Sequence, residues 1–304
     1  MENKDNISRR DALKRMGGII AGTALAGTSL DLLSSCQSPK SRIIFFFTGT
    51  GNCLYVAKRL GERLYSIPQV MLSENRTFEA DEIGLVYPVY YFSLPRNVEE
   101  FLYSVKLKAK YLFCIETFST TPGDATNYLR HHAEKNGIHF DYIKSLRMCS
   151  NFIPYFDVQG QENLDRAKNT EAELSKIIKE VNRQTRQIEA LPEMSAERIR
   201  TEFISPEILD KRSEDLFAIN PQKCVGCDVC IRVCPKANYS LDNSLAVTSG
   251  ECLYCLACAN ACPHKAIYIK TGEPNSSSRY INPNITVPQI IEANWQNTKK
   301  RSRG

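Results

Sequence analysis

Three short apolar runs stand out from a mixed background in the first half of the chain. Residues 43–47 read Ile-Ile-Phe-Phe-Phe, residues 83–89 read Ile-Gly-Leu-Val-Tyr-Pro-Val, and residues 111–116 read Tyr-Leu-Phe-Cys-Ile-Glu. None alternates with polar residues, which is the pattern of parallel strands buried on both faces. After the first run, Leu54, Ala57, Leu60 and Leu64 recur at helical spacing, so a helix is predicted there. Another is predicted near residues 124–136. Residues 148–154 read as a strand end entering a turn. A long helix is predicted over 162–189, with Leu164, Ala167, Leu174, Ile177, Ile178 and Val181 on its apolar side. Strands alternating with helices predict an α/β fold with a doubly wound parallel sheet over 42–190. Ligands of such sheets gather outside the carboxyl ends of the strands.

The pattern then changes. Residues 191–217 are charged and broken by Pro206, and read as a connector. A small α+β unit is expected over 218–271, where short strands at 216–219 and 267–269 flank a cysteine-rich stretch almost symmetrically. Residues 272–304 read as an extension, with a short helix at 287–295 and a basic tail. The chain has 304 residues, 42% hydrophobic and 24% charged, enough for about two domains with a real core. Its net charge of +5 is concentrated in Lys299, Lys300, Arg301 and Arg303. No basic face is left over for a nucleic acid.

Eight of the twelve cysteines change the picture most. Cys224, Cys227, Cys230 and Cys234 are spaced C-x2-C-x2-C-x3-C and followed by Pro235; Cys252, Cys255, Cys258 and Cys262 repeat the run 28 residues later, before Pro263. A [4Fe–4S] cluster needs four thiolates converging on a cube, and one short loop cannot reach around it. Three therefore come from one motif and the fourth from the other. This assigns Cys224, Cys227, Cys230 and Cys262 to one cluster, and Cys252, Cys255, Cys258 and Cys234 to the second. Zinc usually takes two separated pairs, and disulfides need no such doubled run. The motif resembles that of bacterial two-cluster ferredoxins.

A second candidate site follows the first apolar run. Thr48-Gly49-Thr50-Gly51-Asn52-Cys53 links a strand to a helix, where small residues admit close backbone approach and N–H groups meet an anion. It is neither a Walker loop nor G-x-G-x-x-G. It resembles the flavodoxin phosphate loop, T/S-x-T-G-x-T, which binds the phosphate of FMN. That likeness implies side-chain donors at Thr48, Thr50 and Asn52. Cys53 stands where the family more often has a hydroxyl, so only its backbone N–H is a good donor. It also implies that the next two loops hold the flavin ring, through Pro88, Tyr90 and Tyr91, and through Thr117, Phe118 and Gly123. Tyr90 or Tyr91 is the expected stacking group, and Tyr87 and Phe92 suit the core. Cys114 and Cys149 read as small buried hydrophobes, and His131 and His132 as surface residues. No catalytic triad or Cys–His pair is legible.

Taken together, residues 42–300 resemble the flavodoxin–ferredoxin fusion family of bacteria and archaea. The likeness implies FMN and two [4Fe–4S] clusters exchanging electrons with a redox partner protein or a small acceptor. A flavin-dependent reductase of a small molecule and a redox sensor are the alternatives.

Residues 1–36 read as an address. Arg9-Arg10 precedes a mild apolar run from Met16 to Leu33, interrupted by Asp31. The arginine pair resembles the twin-arginine export signal, with Ala12 where that pattern favours Phe. Leu33-Ser34-Ser35-Cys36 resembles a lipobox, which implies a lipid-bearing Cys36 at the outer face of the cytoplasmic membrane. Cluster assembly needs reduced thiols, and the twin-arginine route carries folded, loaded proteins.

Overall fold

Six strands form the central sheet of the computed structural model, which describes residues 41–190 and 210–296. In chain order they are β1 (Arg42–Phe46), β2 (Arg63–Ser66), β4 (Glu82–Pro88), β6 (Tyr111–Phe118), β7 (Tyr142–Arg147) and β8 (Gln187–Ile188), with the small pair β3 (Thr77–Glu79) and β5 (Lys106–Lys108) set apart. Their spatial order is β2-β1-β4-β6-β7-β8, every pairing parallel. With the small pair left out, this is the flavodoxin-like order 2-1-3-4-5 extended by one edge strand. The three apolar runs are the three central strands. Ile43, Ile44, Phe45, Ile83, Tyr87, Tyr111 and Phe113 are all buried, as strands covered on both faces must be. The first helix, α1 (Asn52–Leu60), hides Cys53, Leu54, Val56, Ala57 and Leu60. Helices α2 (Ile67–Val70), α3 (Arg96–Ser104) and α4 (Ala125–Glu134) follow.

The long helix expected over 162–189 is two helices and a strand: α5 (Gln161–Arg166), α6 (Thr170–Asn182) and β8. Apolar spacing misjudged the first piece because a polar residue decides its orientation. Asn163 is buried, holding the Ser150 N–H at 2.7 Å and donating to the carbonyls of Ser150 and Val158, while Leu164 is exposed. The break falls before Thr170, whose hydroxyl donates to the Arg147 carbonyl at 2.7 Å.

In the second half, α7 (Ser213–Leu216) leads into β9 (Phe217–Ile219), which pairs antiparallel with β12 (Ile267–Ile269) as the flanking runs predict. Between them lie α8 (Val229–Val233), the hairpin β10 (Tyr239–Asp242) and β11 (Leu245–Thr248), and α9 (Ala257–Ala261). The hairpin is a feature the sequence reading passed over. Asn243 and Ser244 both have positive φ, as a two-residue turn of this kind requires.

The last helix, α10 (Val287–Asn294), ties the two halves of the described chain together. The fully buried Asn294 amide donates to the carbonyl of Thr48 at 3.0 Å and to that of Val233 at 3.2 Å. Asn294→Ala strands both carbonyls, and each unsatisfied buried group costs about 1–3 kcal/mol. Urea denaturation of the variant is expected to show a lower midpoint with an unchanged slope.

Candidate functional site

A cavity of about 690 Å³ opens at the carboxyl ends of β1, β4, β6 and β7. Ten of the expected cofactor residues line it: Thr48, Gly49, Thr50, Asn52, Cys53, Pro88, Tyr90, Tyr91, Thr117 and Phe118. Gly51 and Gly123 do not. Gly51 has φ +101° and starts α1 from behind; a Cβ there would lie 2.9 Å from the Ile285 side chain. Gly123 backs onto the Phe92 ring and shapes the loop without reaching the cavity. Tyr87 is core, but Phe92, although buried, also lines the cavity.

At the mouth of β1, the Gly51 N–H donates to the Thr48 hydroxyl at 3.0 Å. No side chain caps α1, so its first-turn N–H groups and positive dipole end are left for an anion. One expected side-chain donor is engaged elsewhere. The Asn52 carboxamide oxygen accepts from the Tyr280 hydroxyl at 2.8 Å and the Asn282 amide at 2.9 Å, and its own amide donates to the Cys149 carbonyl at 2.9 Å. It braces the loop against the C-terminal segment. The Cys53 thiol lies 3.2 Å from the Thr117 hydroxyl, and burial pushes it up to about 12, so it stays neutral.

The cavity wall carries unpaired polar atoms. Nine buried side-chain polar atoms lack a partner among the described residues, and five of them belong to this cavity: the hydroxyls of Tyr90, Tyr91, Ser119 and Tyr254, and Nη1 of Arg166. Buried polar groups are ordinarily satisfied, so this concentration marks a place built for a polar ligand. Arg166 also lies 4.8 Å over the Phe156 ring. The sequence reading did not assign Met148–Phe156, Arg166 or Tyr254 to the site. The loop after β7 was open to the same carboxyl-end rule that found the others. Tyr254 had no such signal, because it belongs to the cysteine segment.

The eight cysteines surround two smaller cavities. Cys224, Cys227, Cys230 and Cys262 line one; Cys234, Cys252, Cys255 and Cys258 line the other. Three thiols of one motif and the last of its partner meet in each case. The repeat persists in the backbone. Asp228 and Leu256 start α8 and α9 with φ near +60°. The N–H of Asn238 donates to Cys234 Sγ at 3.4 Å, and that of Ala266 to Cys262 Sγ at 3.2 Å. Further contacts reach Cys224 from the Ala246 N–H, Cys252 from the Tyr254 N–H, and Cys258 from the Tyr239 hydroxyl at 3.2 Å. Such donors stabilise cluster sulfurs and tune potential. Burial pushes the thiols of Cys230 and Cys252 up to about 12, so bound metal has to supply the charge that holds them as thiolates. Among the described residues no three His, Cys, Asp or Glu side chains are gathered around a single bare ion. The thiols instead ring two cavities, as cubes of iron and sulfide require.

Fold and cavities together define an α/β protein with a ligand pocket at its strand ends and a two-cluster iron–sulfur segment packed beside it. Residues 217–263 match the family described as a 4Fe-4S dicluster domain, so the eight cysteines are those of a dicluster segment. No curated protein matches the chain. Among solved structures, the chain is similar to a flavoprotein in complex with FMN from Lactobacillus acidophilus, at 11% identity and TM-score 0.27, covering 35% of this chain and 93% of that one. It is similar to the Trp repressor binding protein from Bacillus subtilis, at 15% identity and TM-score 0.27, covering 44% and 96%. A third is rubredoxin oxygen:oxidoreductase from Desulfovibrio gigas, at 13% identity and TM-score 0.24, covering 46% and 37%. These likenesses are distant, and the fold assignment rests on the strand order above.

Proposed function

We propose that this protein is an electron-transfer iron–sulfur flavoprotein, with FMN in the 690 Å³ cavity and two [4Fe–4S] clusters on the crossed cysteine sets. The five unpaired polar atoms on one cavity wall, beside an uncapped helix N-terminus, carry this reading. The first-turn N–H groups of α1 and the Thr50 hydroxyl would hold the phosphate. Tyr90, Tyr91 and Phe118 would flank the ring, and the Ser119, Tyr91 and Tyr254 hydroxyls would meet its heteroatoms. Bound FMN supplies one- and two-electron redox chemistry. The chain's own part is to bind the flavin, orient it and exclude water with an aromatic wall. The acid on the pocket wall, Glu162, is largely exposed and ion-paired to Arg166, and Glu116, next to Thr117, points to the other face of β6, where Tyr87 and Thr126 hold it, so neither is placed as a free acid or base for substrate chemistry. That favours an electron carrier. A single observation favours a reductase acting directly on a small anion, namely the unpaired Arg166 Nη1. Turnover of an anionic acceptor without any partner protein would support that second reading.

Anaerobic purification with flavin identification tests the proposal. The expected result is one FMN and about eight iron and eight sulfide per chain. Full clusters with no flavin would leave a two-cluster protein beside an empty α/β pocket.

We propose also that the chain is exported folded and anchored by lipid at Cys36. Arg9, Arg10 and Cys36 lie outside the described residues, so this rests on the sequence pattern. Among the described residues no helix is long and apolar enough to cross a membrane. Changing Arg9 and Arg10 together to lysine is expected to retain the loaded protein in the cytoplasm. Fractionation, with mass analysis of the mature N-terminus, reads both points. Unchanged export of the variant would remove the twin-arginine assignment.

A further inference from the structure

The two cysteine sets do not stand equally with respect to the pocket. Tyr254, between the ligands Cys252 and Cys255, is part of the pocket wall. Its ring lies 5.8 Å from that of Phe152, which in turn lies 6.3 Å from that of Tyr91, both of them pocket residues. On its other side the Tyr254 ring is 6.1 Å from that of Phe217, which lines the cavity of the second cysteine set. The backbone comes closer still. A Cβ on Gly49 would lie 2.5 Å from the carbonyl oxygen of Cys255, so the phosphate loop and the cluster loop touch without a side chain between them. The same carbonyl accepts from the Asn151 amide at 3.3 Å. Asn260, two residues after Cys258, donates to the Asn151 carbonyl at 3.1 Å.

The first set has none of these contacts with the pocket. Cys227 is exposed, Cys224 and Cys262 are half-buried and Cys230 is buried, and Val225, between Cys224 and Cys227, is 59% exposed. In the second set Cys234, Cys255 and Cys258 are buried, Cys252 is half-buried, and none is exposed. Crossed ligation keeps the two sets adjacent, since each motif contributes to both.

We infer that the cluster on Cys234, Cys252, Cys255 and Cys258 is the inner one, joined to the pocket through Gly49 and Tyr254, and that the cluster on Cys224, Cys227, Cys230 and Cys262 is the outer terminal, where a one-electron carrier protein docks at the Val225–Cys227 loop. This rests on the flavin reading above. Each transfer moves one electron and no heavy atom. Oxidation in the pocket is matched by one-electron reduction of the inner cluster, then of the outer cluster, then of the carrier, or the whole order runs in reverse. A proton lost from the flavin passes to water at the pocket mouth.

The test compares Gly49→Ala and Val225→Glu in the holoprotein, using an EPR-monitored redox titration of both clusters and fluorescence titration with FMN. Gly49→Ala forces the Cys255 loop to shift. It is expected to move the midpoint of one cluster and weaken FMN binding by about tenfold or more. Val225→Glu adds a charge beside the outer cysteines. It is expected to move the midpoint of the other cluster, slow electron exchange with a ferredoxin-class carrier by about fivefold or more, and leave FMN affinity alone. If Gly49→Ala does not fold, Tyr254→Leu takes its place with the same expected pattern. Both variants moving the same cluster, or Val225→Glu weakening FMN binding as much as Gly49→Ala, would overturn the order while leaving the flavin reading intact. Wild-type protein that takes up no flavin removes both.

Discussion

Replacing Cys234 and Cys252 together by alanine will remove one cluster and spare the other, whereas replacing Cys234 and Cys224 will damage both. The two double variants delete the same number of thiols, and each takes one from either motif or two from the same one. Cys234 and Cys252 share a cavity but not a motif, whereas Cys234 and Cys224 share a motif but not a cavity. Cys234 and Cys252 line one cavity; Cys224 lines the other. If each motif instead held its own cluster, Cys224 and Cys234 would belong together, and the outcomes would exchange. Iron analysis reads this directly. The first variant should keep about four iron per chain and the second markedly fewer, because a cube held by three thiolates is labile. The spared cluster in the first variant is the outer one, so its EPR signal should match that component of the wild type. Burial raises the two thiols left in the emptied cavity, Cys255 and Cys258, well above the ordinary thiol range, so without metal that cavity carries no unpaired charge, and the sheet half of the molecule should stay folded by far-UV circular dichroism. Four iron per chain in both variants would contradict the crossed arrangement.

The crossing was legible from the sequence because it follows from the size of a cube and the reach of a short loop. The sheet was legible for a related reason. Strands covered on both faces must be apolar throughout, and 43–47, 83–89 and 111–116 are the runs that became β1, β4 and β6. The rest depended on polar residues whose partners are remote in sequence. Asn163 turned α5 against its apolar pattern by finding Ser150 and Val158. Asn52 looked like a phosphate donor until Tyr280 and Asn282, more than two hundred residues away, took its carboxamide. Asn294 fastens Thr48 to Val233 from a helix whose sequence suggested only a packed end. One carboxamide satisfies any nearby donor and acceptor, so local sequence does not say which it will meet. The same holds for Tyr254. Its place in the pocket wall depends on how the cysteine segment docks, and that docking is set by α10 and by the absence of a side chain at Gly49.

A single buried carboxyl, Glu116, should make the protein less stable as pH rises from about 5 to 8. Burial pushes its pKa from 4.5 up to about 7, against the lowering effect of hydrogen bonds from Tyr87 at 2.6 Å, Thr126 at 2.8 Å and Ser145 at 3.4 Å. The folded state therefore holds this proton more tightly than the unfolded chain does. Its contribution is fully present below pH 4.5, and is lost as pH rises through 7. A rise of that size corresponds to about 3 kcal/mol between the two ends of the window. Glu116→Gln keeps an oxygen to accept from Tyr87 and an amide in place of the acid proton, but it cannot ionise. The stability difference between variant and wild type should be small near pH 5 and grow to about 3 kcal/mol in favour of the variant near pH 8. Groups with lowered pKa, such as Glu214 at about 2, act only at more acid pH and do not blur the comparison. Thermal or urea unfolding of both proteins across this range, under anaerobic conditions that keep the clusters intact, measures the difference. Two parallel pH profiles would show that Glu116 is ionised in the fold, and the Tyr87–Glu116–Thr126 set would then have to be a charged network inside the sheet.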